Sequence, residues 1–353
     1  VAGSTSMRNP QIIYGDDVMN RITAVHRKPG LLKQLQKMVV KAIEWGISYL
    51  SRAYRVDTKQ MQKMVVVGNS TMIHLFAGED PTSIGLYPYT PRFTAEKTFR
   101  ADAIGFNFNA SAEIITLPLI SGFLGSDILA AAVAADLDAM EKGTVLVDVG
   151  TNGEVMLRTG SGFSATSCAT GPAFEGATIK HGMRAAPGAI EIVRIDPVTK
   201  EVKFKVIGKT GWNTEQKGME SKGICGSGII DAVAEMFSAG FLEKSGRFVS
   251  GLDTPRLRLT DDGPVFVIAR PHETASHQEI VICQRDVRAV QLAKGAIYAA
   301  ARLMMQQLNV TQLDKVILAG AFGSFITKKS AATLGMFPDC DLENVQAVGN
   351  AAG

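Results

Sequence analysis

Val145-Leu146-Val147-Asp148-Val149-Gly150-Thr151-Asn152-Gly153-Glu154-Val155-Met156-Leu157 changes character twice in one short run, and its reading decides the fold. Val145, Val147 and Val149 alternate with Leu146 and Asp148, and apolar residues resume after Glu154, so two strands flank a Gly-Thr-Asn-Gly hairpin. Asp148 ends an otherwise apolar strand. A carboxylate there costs burial energy unless a positive or hydrogen-bonding group meets it, and a Mg²⁺-phosphate group beyond the turn meets that need. Gly150 and Gly153 let backbone N–H groups approach phosphate oxygens. An ordinary hairpin whose Asp caps the turn gives the same pattern, so the surrounding sequence has to decide.

Downstream, residues 163–168 continue as a third antiparallel strand into a second glycine-rich turn, Ala169-Thr170-Gly171-Pro172-Ala173-Phe174-Glu175-Gly176-Ala177. Two short strands between 190 and 206 meet at Asp196-Pro197, and Gly223-Ile224-Cys225-Gly226-Ser227-Gly228 opens a helix over 229–239. Three glycine-rich turns in one region exceed structural need. After a strand-prone stretch over 241–283, residues 286–308 form a long helix with Val290, Ala293, Ile297, Ala300 and Met304 on one face. Val316-Ile317-Leu318-Ala319 is then a buried strand running into Gly320-Ala321-Phe322-Gly323-Ser324.

Upstream, Asn9-Pro10 breaks the chain before a helix over 16–25, and apolar residues from Leu31 to Leu50 recur at helical spacing through 31–54. Met64-Val65-Val66-Val67 predicts a buried strand ending in the turn Gly68-Asn69-Ser70-Thr71, which caps a helix or holds an anion. Residues 77–113 are rich in proline and glycine and lack periodicity, which predicts an irregular excursion. Residues 114–118 form a short strand, and Gly122 to Asp127 lead into an alanine-rich helix over 128–137. A boundary near 139–143 divides the chain into lobes 1–140 and 141–353.

The composition, 353 residues with 46% hydrophobic and 20% charged, provides for two packed cores. Net charge is +3 without a basic run, which gives no electrostatic footprint for nucleic acid or an anionic membrane. The longest apolar runs fall short of a membrane span and residue 1 opens no signal peptide, so a cytoplasmic protein is expected. Cys168, Cys225, Cys283 and Cys340 form no CxxC pair for zinc or an iron–sulfur cluster. His277 stands five residues after His272-Glu273, which does not put both histidines on one helical face. Ser227 lacks nucleophile-elbow spacing and is a phosphate contact or helix cap, while P-loop and dinucleotide-binding fingerprints are absent.

The order of parts resembles the actin, hexokinase and heat-shock chaperone superfamily of ATPases. The resemblance implies an α/β fold of two ribonuclease-H-like lobes with a nucleotide cleft between them. It makes residues 148–153 the second phosphate loop, 316–324 the adenosine motif, 122–131 the first connecting helix and 348–353 the start of the second. The closer resemblance is to the ATP-dependent reductive activators of corrinoid proteins. It is carried by Arg8-Asn9-Pro10-Gln11 with Tyr14-Gly15-Asp16-Asp17-Val18, Gly68-Asn69-Ser70-Thr71-Met72, Gly171 to Gly176, Ile224 to Gly228 and Gln284-Arg285-Asp286-Val287.

What that family implies is ATP hydrolysis coupled to returning Co(II) corrinoid to the Co(I) state used in methyl transfer. The partners would be ATP with Mg²⁺ and a corrinoid (cobalamin-binding) protein, with a homodimer as one allowed assembly. Asp148 would orient Mg²⁺ or the attacking water, with Asp127 a second acid for that work. Gly150, Thr151, Asn152 and Gly153, Gly171, Pro172, Glu175 and Gly176, and Gly226, Ser227 and Gly228 would cradle phosphates or ribose. Gly320, Ala321 and Gly323 would flank the adenine. A first phosphate loop and a 2Fe–2S domain are expected upstream of residue 1, and this chain is expected to be a fragment. A sugar or acyl kinase of the same superfamily and a nucleotide-gated interaction module are the competing functions.

Overall fold

The computed structural model describes residues 3–15, 17–150, 152–252, 254–320, 326–349 and 351. The chain divides into two compact units, Val1–Ala131 with Ala352–Gly353, and Ala132–Ala351.

In the first unit, helices α1 (Val18–Arg27) and α2 (Leu31–Tyr54) precede strand β1 (Lys63–Val66), helix α3 (Ser70–Ala77), strand β2 (Lys97–Arg100), helix α4 (Ala101–Ile104), strand β3 (Glu113–Thr116) and helix α5 (Ser126–Ala134), whose last turn crosses into the second unit. The sheet order is β1-β3-β2, with β1 parallel and β2 antiparallel to β3. β1 is less buried than its valines predict, since Val65 is 53% exposed. The supposed excursion over 77–113 contains β2 and α4, short elements that its prolines and glycines obscured. α2 begins and ends where its periodicity says, yet only Leu35 and Val40 are fully buried, and Trp45 and Tyr49 stack on its exposed side at 5.7 Å.

Two of the stretches that carry the family resemblance do structural work here. Asn9 accepts from the Gln11 backbone N–H at 2.9 Å, and buried Gln11 donates its amide to the Leu35 carbonyl, also at 2.9 Å. Asn69 caps α3 by accepting from Met72 N at 2.9 Å. Ser126 N donates to Gly68 O at 3.0 Å and Gly68 N to Ser126 Oγ at 3.2 Å, while Ser70 Oγ donates to Ser121 O at 2.5 Å. The 68–70 turn is thereby fastened to the segment that starts α5.

The second unit is built on a five-stranded sheet. Its strands are β4 (Thr144–Asp148), β5 (Asn152–Thr159) and β6 (Gly162–Ala169), later joined by β13 and β14. Then follow β7 (Ala189–Ile195), β8 (Val202–Val206), β9 (Gly223–Ile224) and helix α6 (Gly226–Ser238), and next the meander β10 (Leu257–Thr260), β11 (Gly263–Ala269) and β12 (Ile280–Cys283). Helix α7 (Gln284–Gln307), strand β13 (Lys315–Ala319), helix α8 (Lys328–Leu334) and strand β14 (Val345–Gly349) complete it. The main sheet runs β14-β13-β4-β5-β6, parallel through β14, β13 and β4 and antiparallel through β5 and β6.

β4 is central, and Val145, Leu146 and Val147 are all buried, as both faces of a covered strand require. α7 packs on β5 and β6 through Val290, Ala293, Ile297 and Met304, with Ala301 rather than the expected Ala300 in the buried stripe. Residues 348 and 349, expected to start a connecting helix, instead end β14, where Val345 pairs with Val316 and Gly349 with Ala319 across a register shift at Val348. Among the described residues no helix is long and apolar enough to cross a membrane.

His74 gives the first unit a pH dependence. It is fully buried in α3, with Nδ1 donating to Ser70 O at 2.7 Å, Nε2 accepting from Arg92 N at 3.1 Å and its ring stacked on Phe93 at 4.4 Å. Burial lowers its pKa, with Lys97 and Arg92 adding and the Ser70 bond and Glu79 opposing. The folded chain therefore holds it neutral while the unfolded chain takes up a proton near pH 6.5. Its stabilisation is complete above that pH and is lost as pH falls below it. Urea unfolding should lose up to about 1.4 kcal/mol per pH unit just below pH 6.5 through this group, and His74→Gln should remove that slope. An identical pH dependence in both proteins refutes the assignment.

Candidate functional site

Parallel pairing of β13 with β4 places Ala319 opposite Asp148, and Val149 N donates to Ala319 O at 3.1 Å. Gly320 comes next, with φ at +94°, a conformation that disfavours any side chain. A Cβ built on it would lie 2.4 Å from Asp148 Oδ1 and 2.6 Å from Val149 O. The acid at the end of β4 and the glycine at the end of β13 thus touch, at the carboxyl ends of two parallel strands where open α/β sheets bind ligands.

On the other side of β4, Asp148 pairs with Glu154 of β5, and β5 pairs with β6 so that Gly153 faces Cys168 and Asn152 faces Ala169. Asp148 and Glu154 therefore project from the same face of the sheet. Sequence reasoning left Glu154 without a role, although the short hairpin loop was the signal that would have set it opposite Asp148. Cys168 and Thr170 were missed as well. Thr170 Oγ1 donates to Gly150 O at 2.6 Å, and Cys168 Sγ donates to Gly153 O at 3.2 Å. Beyond Thr170, the second glycine-rich turn forms a 3-10 turn over Pro172–Glu175 between Gly171 at φ +72° and Gly176 at φ +80°.

The third turn has a packing role. A Cβ on Gly228 would lie 2.3 Å from Ile190 O, so this glycine lets α6 approach β7. Ser227 is buried and its hydroxyl donates to Glu191 O at 3.0 Å, while the N-cap position of α6 falls to Cys225. Gly226, also buried, begins α6. Asp231, one turn later and 1% exposed, accepts from Arg194 Nη1 at 2.7 Å, Thr327 Oγ1 at 2.9 Å and Ser330 Oγ at 2.6 Å, tying α6 to β7 and α8.

Asp127 belongs to the first unit. It is half-buried in the first turn of α5 and accepts from Ile128 N at 3.0 Å, and burial raises its pKa while that bond opposes. Thr151, Ala321 and Gly323 lie outside the described residues.

The residues that are described suit Mg²⁺-ATP. At the ends of two parallel strands the Asp148 carboxylate could hold a cation, and Gly320 has no side chain to displace it. The Gly150 and Gly153 hairpin beside them and the turn from Gly171 to Gly176 provide backbone for phosphates.

A lobe of this construction, with an acid-ended hairpin next to a parallel strand closed by glycine, is that of an actin-like ATPase, the ASKHA class. A family model described as the C-terminal domain of RACo, the ASKHA domain, matches residues 142–353, and one described as the RACo middle region matches residues 1–140. The chain belongs to the RACo family.

Its relatives include the corrinoid activation enzyme RamQ of Eubacterium limosum, 33% identical over 357 residues, covering 99% of this chain and 58% of that protein. Another is the reductase of the Co(II) methylated amine-specific corrinoid protein of Methanosarcina barkeri, 27% identical over 308 residues, covering 81% of this chain and 53% of the relative. Among solved structures, the reductive activator for corrinoid, iron-sulfur protein superposes with a TM-score of 0.86 at 35% identity, covering 99% of this chain and 55% of that one. The chain spans about half the length of the relatives it matches.

The Gly320 contact gives a graded expectation. Gly320→Ala combines a left-handed backbone with a clash against Asp148 and should destabilise the fold by about 3 kcal/mol or more. Gly171→Ala, where nothing lies within 4 Å of the added atom, should cost only the backbone term of about 1–2 kcal/mol. Equal losses in chemical denaturation would show that Gly320 does not abut Asp148.

Proposed function

We propose that this chain is the ATP-binding and ATP-hydrolysing part of an enzyme that returns an inactive Co(II) corrinoid protein to Co(I) for methyl transfer. Family membership supports the class of reaction. The observation that carries the site is the contact of Asp148 with Gly320 beside the hairpin. Asp148 holds Mg²⁺ or the attacking water. Gly150 and Gly153, together with the turn from Gly171 to Gly176, supply backbone N–H groups to phosphates, and Gly320, having no side chain, leaves the Asp148 carboxylate its place at the strand ends. Mg²⁺-ATP, when bound, supplies the free energy, and its cleavage consumes one water to give ADP and phosphate.

The electron that converts Co(II) to Co(I) comes from a 2Fe–2S domain outside residues 1–353, and this chain's own task is mechanical. Its nucleotide state alters the environment of the partner's corrinoid, an exchange of binding free energy for conformation. Residues 1–140 and 141–353 are the two working parts of this device, which acts in the cytoplasm. Asp127 is a second acid for the same chemistry.

In the intact protein, Asp148→Asn should lower corrinoid-dependent ATP turnover by roughly 10²–10³-fold, the scale for removing one group that stabilises transition-state charge, while docking of the corrinoid protein persists. Turnover is measured with and without the corrinoid protein and with a panel of sugar and carboxylate acceptors. Near-normal turnover in the variant sinks the role of Asp148, and phosphorylation of an acceptor with indifference to the corrinoid protein replaces this reading with a kinase.

A further inference from the structure

Thr170 and Cys168 stand two residues apart at the end of β6, a spacing that sends both side chains to the same face. Each reaches a carbonyl of the neighbouring hairpin, Gly150 O from Thr170 and Gly153 O from Cys168. Thr170 is only 6% exposed, and its methyl carbon lies 2.8 Å from where a Cβ on Gly153 would stand, with Cys168 Sγ at 3.0 Å and Ile297 Cγ1 of α7 at 3.3 Å. One threonine therefore bonds the first glycine of the turn and packs against the last. The inner side of the turn is filled from β6 and α7, and carbonyls at both of its ends are committed inward.

A glycine-rich turn without such ties samples many conformations, and a loop that must present N–H groups to a phosphate binds more tightly when those conformations are already excluded. We propose that Thr170 and Cys168 are positioning residues that hold Gly150 and Gly153 where their backbone can receive a phosphate, with the Thr170 hydroxyl contributing most. The inference rests on the nucleotide reading above and adds to it a pair of residues that need not touch the ligand. The Cys168 thiol suits the part because burial, reinforced by Glu154, pushes its pKa up to about 11, so it keeps its proton and remains a donor at neutral pH. Cys168 lies outside the glycine-rich turns and Thr170 only leads into one, so neither stands out as a site residue from its motif.

Three variants of the intact protein test this by calorimetric titration with Mg²⁺-ATP and, separately, with adenosine. Thr170→Val keeps the methyl groups and removes the donor. It should weaken ATP about tenfold, the worth of roughly one hydrogen bond, and leave adenosine unchanged. Thr170→Ser and Cys168→Ser retain donors and should stay within about twofold of the parent for ATP. A Thr170→Val protein that weakens both ligands alike has merely lost structure, and that result overturns the positioning role. So does one that binds ATP as tightly as a parent that itself prefers ATP to adenosine. A parent with no such preference fails differently, because it overturns the nucleotide reading and the positioning role together.

Discussion

A carboxylate oxygen of Asp148 occupies the space where a side chain on Gly320 would begin. That contact exists because β13 enters the sheet parallel to β4 in the register that sets Ala319 against Asp148. A slip by one residue would turn Asp148 to the opposite face and drive an acid toward the core of valines and leucines that β4 otherwise fills. Register, burial and the placement of the acid are therefore one constraint. The hairpin on one side of β4 and the glycine turn on the other are built around it.

A second buried acid holds the surroundings of that sheet together. Asp231 receives hydrogen bonds from β7 and from both capping hydroxyls of α8, so the start of α6 is fixed relative to elements far from it in sequence. A buried carboxylate without partners would cost several kcal/mol, and satisfying it demands that all three elements be in place. Gly228 permits the close approach that brings Asp231 within reach of Arg194. Glycine and acid on this helix cooperate in packing, so the motif anchors α6 to its neighbours.

Much of this was legible in the residues themselves. The hairpin around Gly150 to Gly153 announces itself by alternation before the turn and an apolar run after it, and β13 by an uninterrupted apolar run. α2 and α7 were legible because helical periodicity over many residues averages out local ambiguity. Local pattern was silent on whatever depends on partners. Val65 belongs to an apolar run and yet stands exposed, because burial depends on what lies across the strand. β14 is a five-residue strand beside a glycine, too short to outweigh the expectation of a helix. Neither Thr170 nor Cys168 stands out by its motif, and their significance lies in which carbonyls they reach from an adjacent strand.

The strand order of the main sheet also bears on how the chain is made. β4, β5 and β6 are consecutive and antiparallel, and can close as a meander as soon as they leave the ribosome. The other edge of β4 is covered by β13, whose residues 315–319 are synthesised long after the hairpin. Throughout translation of the intervening segment, a buried strand of the unit presents an unpaired edge, and Asp231 waits in a nascent helix for hydroxyls not yet polymerised. Such an edge is a template for pairing with other chains. A slow ribosome over residues 170–315 prolongs that exposure, so the tempo of synthesis and the supply of chaperones set the yield of folded protein.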